Sequence, residues 1–233
     1  MSRSSTESSG RSEAPPPQRD ESVGAPAISG SPDSQRAVVA LVAASRLARA
    51  PFAVVTFEDI TADAGLPQEY VQTLFADMHD VGAAILDHER ASMRAVQERV
   101  SRDGSDALEQ LVLAFRLVGE NLASDVVVRA GVRLAAESRE HFPERRLDPF
   151  RTWESFVTAQ LTRARDAGLL KERVDIADTV WIVVAAGMGT KDLVAFQGAW
   201  DQAPTRLEAV VRSIVSLIRT SAVNASDAGA RGR

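Results

Sequence analysis

The sequence predicts an all-α protein. Apolar residues recur at spacings of three and four through most of the chain, and prolines fall at the boundaries of those stretches. No stretch alternates apolar and polar residues between hairpin signals, and no repeat period is evident. With 233 residues and 45% apolar content, the chain is long enough to bury a sizeable core.

Residues 1–33 are rich in Ser, Pro and Gly, include Pro15-Pro16-Pro17, and have almost no large apolar side chain. Such a segment cannot offset the entropy of ordering and reads as a disordered tail, as do residues 223–233. Residues 34–80 read as a tri-helical unit. Val38, Leu41, Val42, Ser45 and Leu47 form an amphipathic stripe that stops at Pro51. Thr56, with Asp59 three residues on, predicts an N-cap with a capping box, followed by Ile60 and Ala64 as the apolar face. Gly65 ends that helix, and Pro67 starts another through Tyr70, Val71, Leu74 and Phe75. Two short helices joined at a glycine, after a longer one, make a helix-turn-helix.

Residues 81–222 continue as helices. Val81, Ala84, Ile85 and His88 mark one apolar face, and Leu108, Leu111, Val112, Phe115, Val118 and Leu122 mark another. Stripes follow over 126–136, 150–167, 176–196 and 206–218. Leu207, Val210, Val211, Ile214 and Ile218 make a seam wide enough for a helix bundle, and Ala185, Ala186, Gly187 and Gly189 permit close approach. A homodimer through these two helices is expected.

Charge sets the functional question. The net charge is -5, and Phe52 to Glu89 contains no lysine or arginine while carrying eight carboxylates. A helix-turn-helix that reads DNA lies against two rows of phosphates, and this one would present net negative charge to them. The chain has no cysteine, which excludes disulfides, cysteine zinc sites and thiol nucleophiles. His79 and His88 are nine residues apart, which is no helical ligand spacing, so no metal and no cofactor is expected. No apolar run approaches the length of a membrane span and the N-terminus lacks a signal-peptide core, so no membrane partner and a cytoplasmic location are expected.

The run Thr56-Phe57-Glu58-Asp59-Ile60-Thr61-Ala62-Asp63-Ala64-Gly65-Leu66, with Phe75 ten residues after Gly65, resembles the TetR family of bacterial transcriptional regulators. Val127 to Leu134, Trp153, Ala167-Gly168-Leu169-Leu170 and Val174-Asp175 resemble the γ-butyrolactone receptors within it. The resemblance spans about residues 35–220. It implies a small-molecule-sensing dimer with a helix-turn-helix head and a helical ligand-binding and dimerisation domain.

The framework residues of the head match that pattern and its contact residues depart from it. Where the family has lysine, glycine and tyrosine, this chain has Gln68, Glu69 and Gln72. The family's phosphate-holding lysine after the closing phenylalanine is Met78, and a glycine before the aromatic that follows the first helix is Pro51. Impaired or lost DNA binding is one reading, with action through a protein partner, including a heterodimer with an intact regulator, or through ligand sequestration. The other is a conventional ligand-released repressor that uses Arg36, Arg46, Arg49, Gln68, Tyr70, Gln72 and Thr73 on DNA. A third is recruitment to small-molecule chemistry, for which only Lys191, His88, Tyr70 and carboxylates offer themselves.

For the ligand, the resemblance places Trp153 against a lipophilic lactone or butenolide; ordinary core packing is the alternative. Phe115 and Met188 are further wall candidates. Lys191 stands where the receptors carry a glutamine. It would meet an acidic ligand group, or pair with Asp192 at the surface.

Overall fold

The structure, a computed structural model, describes residues 31–220, and these hold nine α-helices. They are α1 (Pro32–Leu47), α2 (Phe57–Ala64), α3 (Gln68–Leu74), α4 (Met78–Ser101), α5 (Ala107–Ser124), α6 (Val126–His141), α7 (Pro149–Asp166), α8 (Ile176–Gln197) and α9 (Ala203–Ile218). One isolated antiparallel bridge joins Leu170 to Arg219.

Helix α1 starts earlier than expected, with Ser31 capping it by accepting from the Ser34 amide. The expected tail therefore gives way to helix at Pro32; residues 1–30 and 221–233 lie outside the described residues. The stripe read on α1 also needs correction. Val38 and Leu41 are exposed, and the buried face is Val39, Ala43, Ala44 and Leu47. This helix is apolar on several sides, so periodicity alone cannot fix its inward face. The pairing with α2, α3 and α6 fixes it.

The turn of the helix-turn-helix forms by local chemistry. Thr56 Oγ1 accepts from the Asp59 amide at 3.1 Å and Asp59 accepts from the Thr56 amide at 3.0 Å, closing the capping box. Gly65 ends α2 at φ 63°, a left-handed conformation that glycine adopts without cost. Ile60, Val71, Leu74 and Phe75 pack the head, and its core continues into α4 and α6 through Val81, Ile85, Ala130, Leu134 and Phe142. The head is thus seated on α6.

A second core joins α5, α7, α8 and α9 around Leu108, Leu111, Phe115, Leu161, Val183 and Val211. Gly119 lets α9 approach α5, since a Cβ there would stand 2.5 Å from the Pro204 backbone. At the far end, Arg219 grips Asp106 through two bonds of 2.9 and 3.0 Å and reaches Glu109 at 3.1 Å. Asp106 also caps α5, so a single carboxylate fixes one helix start and one chain return.

Two further expectations change. His88 is exposed and bonds Asp125 at 2.7 Å rather than lying on the apolar face of α4. The seam read on α9 lies largely inside the protomer, where Leu207 and Val211 are buried with Ala203 and Val215. What α8 and α9 leave outward is different: Trp181, Ile182, Leu193 and Phe196 on α8, and Leu217 on α9. Helix α8 is long and apolar enough, by length and composition, to cross a membrane, which no uninterrupted apolar run had indicated, because Asp178, Lys191 and Asp192 break it.

Candidate functional site

A cleft opens among α4, α5, α6, α7 and α8, with a cavity volume of about 80 Å³. All four expected ligand residues, Phe115, Trp153, Met188 and Lys191, are in its wall. Phe115 and Trp153 meet at 5.4 Å between ring centroids, and Phe156 closes edge-on against the indole at 5.7 Å. The Phe115 ring fits against α8 only because residue 187 is glycine. A Cβ at Gly187 would stand 2.4 Å from it. Close approach at Gly187 therefore serves the cavity and not a helix seam between chains.

Lys191 is about one fifth exposed and pairs with Asp192 at 2.6 Å, which leaves two of its three donors for the cleft. Of the two alternatives read for it, the structure contains both features in one residue: it lines the cavity and pairs with its neighbour.

Sequence reasoning missed the opposite wall. Glu89 and Met93 of α4 line the cleft with Val132, Ala135 and Ala136 of α6. Burial pushes the Glu89 carboxyl up to about 7, against the opposing pull of Arg90. Gly131 makes room for it, since a Cβ there would stand 2.3 Å from Glu89 Cβ. The cleft also communicates with a wider polar vestibule. Glu89, Met93, Ala135, Pro149 and Trp153 belong to both, and Arg90, Arg94, Arg145, Arg146 and Asp148 line the outer part.

In the head, two of the three arginines expected to anchor DNA, Arg36 and Arg46, are engaged internally. Arg36 donates to the Leu74 carbonyl at the end of α3, pairs with Asp80 at 3.6 Å, and stacks 4.2 Å from the Phe75 ring centre. Arg46 makes a two-pronged contact with Asp63, one prong at 2.9 Å, and pairs with Asp59 at 3.3 Å. Its hydrogen bond holds the Asp63 carboxyl below the usual range. Arg49 is exposed, and its charge is near enough to Arg129 of α6 to help depress that guanidinium, after burial. On α3, Gln68, Glu69, Gln72 and Thr73 are exposed, Tyr70 is half-buried, and the Thr73 hydroxyl is turned back to the Tyr70 carbonyl at 2.7 Å. Met78 packs onto the head's core. Tyr70, His88 and Lys191 lie on α3, α4 and α8, and only Lys191 reaches the cleft.

A small three-helix head carrying a helix-turn-helix is seated on a larger helical unit with an apolar cleft. The fold is that of the TetR regulators. A γ-butyrolactone receptor described as ArpA-like superposes with a TM-score of 0.62 at 21% identity, covering 78% of this chain and 98% of that one. CprB, a TetR family protein from S. coelicolor A3(2), gives 0.66 at 22% identity, covering 80% and 90%. SmeT, the repressor of the Stenotrophomonas maltophilia efflux pump SmeDEF, in complex with triclosan gives 0.63 at 20% identity, covering 81% and 93%. No family profile and no curated relative matches the sequence.

Proposed function

We propose that the chain is a cytoplasmic, dimeric small-molecule sensor of the γ-butyrolactone-receptor type whose head binds DNA weakly or not at all. The observation that carries this reading is the commitment of Arg36 and Arg46 to carboxylates of their own head. Over residues 34–80 there are three arginines, no lysine and six carboxylates. Nonspecific affinity for duplex comes from cations that replace the DNA's counterions. Here two of the three are already neutralised, and Glu58 and Glu69 remain exposed to oppose a phosphate.

The cleft supports the ligand half of the proposal. Aromatic and thioether walls with a few donors suit a small hydrophobic molecule with oxygen-rich functionality, such as a lactone or butenolide. Helix α4 supplies a route between the two functions: Met78 packs in the head and Glu89 and Met93 line the cleft fifteen or fewer residues later along one helix. The exposed apolar face of α8 supports a homodimer.

The test is a mobility shift on the protein's own upstream DNA at 50 and 200 mM salt. The wild type is expected to give no shift at submicromolar protein, even at the lower salt. A Gln68→Lys, Glu69→Lys, Gln72→Lys variant changes only exposed positions of α3. It is expected to gain salt-sensitive, nonspecific affinity while sequence specificity stays absent, because base contacts are a separate requirement. Nanomolar wild-type binding would establish the conventional repressor instead, with Arg49 and the exposed face of α3 as its contacts.

A further inference from the structure

Among the described residues, Glu89 is the one carboxyl in the wall of the apolar cleft. Among the described residues no hydrogen bond or ion pair reaches it. The charged groups near it can be named element by element. On α4, Arg90 and Arg94 are exposed, and His88 is turned away to Asp125. Between α6 and α7, Arg145 is held by Asp87 at 2.7 Å, Arg146 is exposed at the rim of the vestibule, and Asp148 caps α7. On α8, Lys191 is held by Asp192. The cleft-lining residues of α5, α6, α7 and α9 contribute no charge. Gly131 removes the side chain that would otherwise keep Glu89 out.

We propose that Glu89 recognises the cleft's ligand as a neutral carboxylic acid, donating its proton in a hydrogen bond to a carbonyl or ether oxygen of an uncharged molecule, so that ligand and proton are held together. The argument is one of complementarity. In that state the polar functions available in the wall are donors: the Glu89 hydroxyl, the indole N–H of Trp153, which has no acceptor among the described residues, and the two remaining N–H bonds of Lys191. An ionised Glu89 would face an apolar wall with no ion pair and only the pull of the exposed Arg90 to offset its charge, which is the costly arrangement. Its carboxyl, raised to about 7 by burial, keeps the acid form populated at neutral pH. An acceptor-rich ligand that excludes water would raise it further. The inference rests on the ligand reading of the cleft and adds to it the sign of the ligand's polarity and a coupling to pH.

Calorimetric titration of the full chain with γ-dodecalactone, a neutral lactone with an alkyl tail, tests this in buffers of different ionisation enthalpy. At pH 8 the wild type is expected to take up nearly one proton per lactone bound. From pH 6 to pH 8 its affinity should fall roughly tenfold, as the acid form is depleted. Glu89→Gln keeps a donor but cannot titrate, so it should bind with no proton uptake and no pH slope. Lactone binding by the wild type that is flat with pH, or proton uptake that survives in Glu89→Gln, would overturn the inference while leaving the ligand reading intact. Tighter binding of dodecyltrimethylammonium with rising pH, accompanied by proton release, would also overturn it, since that marks a carboxylate selecting cations. Failure of the lactone to bind at any pH would remove the ligand reading and this inference with it.

Discussion

Glu89 makes a prediction that needs no ligand. Its folded pKa is raised, so the stability it contributes is fully present below the unfolded carboxyl value near 4.5 and is lost as pH rises toward about 7, where the native state must also give up the proton. Across that window Glu89→Gln should become progressively more stable than wild type, by at most about 3 kcal/mol, the linkage value of a shift of this size. Urea unfolding at pH 4.5 and 7.5 measures it; an unchanged difference between the two proteins would place the titration elsewhere. Gly187→Ala is a second residue-scale case. A methyl aimed at the Phe115 ring should cost about 1 to 3 kcal/mol and narrow the cleft, so a wild-type melting temperature would contradict the packing described. The cleft was only half legible in the sequence. Trp153, Phe115, Met188 and Lys191 stand out by type, stripe and resemblance. Glu89 does not, because a carboxylate in an acidic run reads as solvated surface. Its burial depends on Gly131, forty-two positions away along the chain.

At the scale of elements, the local signals translated directly and the tertiary ones did not. The capping box at Thr56, the left-handed Gly65 and the proline boundaries determine where helices start and stop, and they act within four residues. Which face of α1 or α9 turns inward is decided by partner helices, and an apolar helix offers several choices. The same distinction separates two roles for Arg36. If it ties α3 to α4, Arg36→Ala leaves the Leu74 carbonyl without its donor and should cost about 1 to 2 kcal/mol, discounted for the exposure of the pair with Asp80. If it were a phosphate anchor, stability would hold and only DNA affinity would fall. Chemical denaturation of the variant decides between them, and the bonds to Leu74, Asp80 and Phe75 predict the first result.

At the scale of the whole molecule, α8 carries the dimer argument. Its inner face, with Val180, Val183, Val184 and Gly187, is buried in the protomer's own core, yet the outer face remains apolar: Phe196 is 91% exposed, Trp181 69% and Leu193 62%. Exposed aromatics clustered on one helix face are costly in water, and a second copy meeting α8 and Leu217 would cover them with a self-complementary surface. Ala185 and Gly189, both exposed, would let the backbones come near. Two variants therefore separate what periodicity merges. Trp181→Glu with Phe196→Glu should give a folded monomer with an unchanged helical spectrum, since neither side chain is in the core. Val211→Glu, on α9, whose apolar stripe reads in the sequence as part of the seam, should instead unfold the protomer, because Val211 is fully buried beside α5 and a carboxylate there has no partner. Light scattering at micromolar concentration, read together with circular dichroism, distinguishes the cases. A monomeric wild type, or a Trp181→Glu, Phe196→Glu protein that stays dimeric, would move the interface off α8.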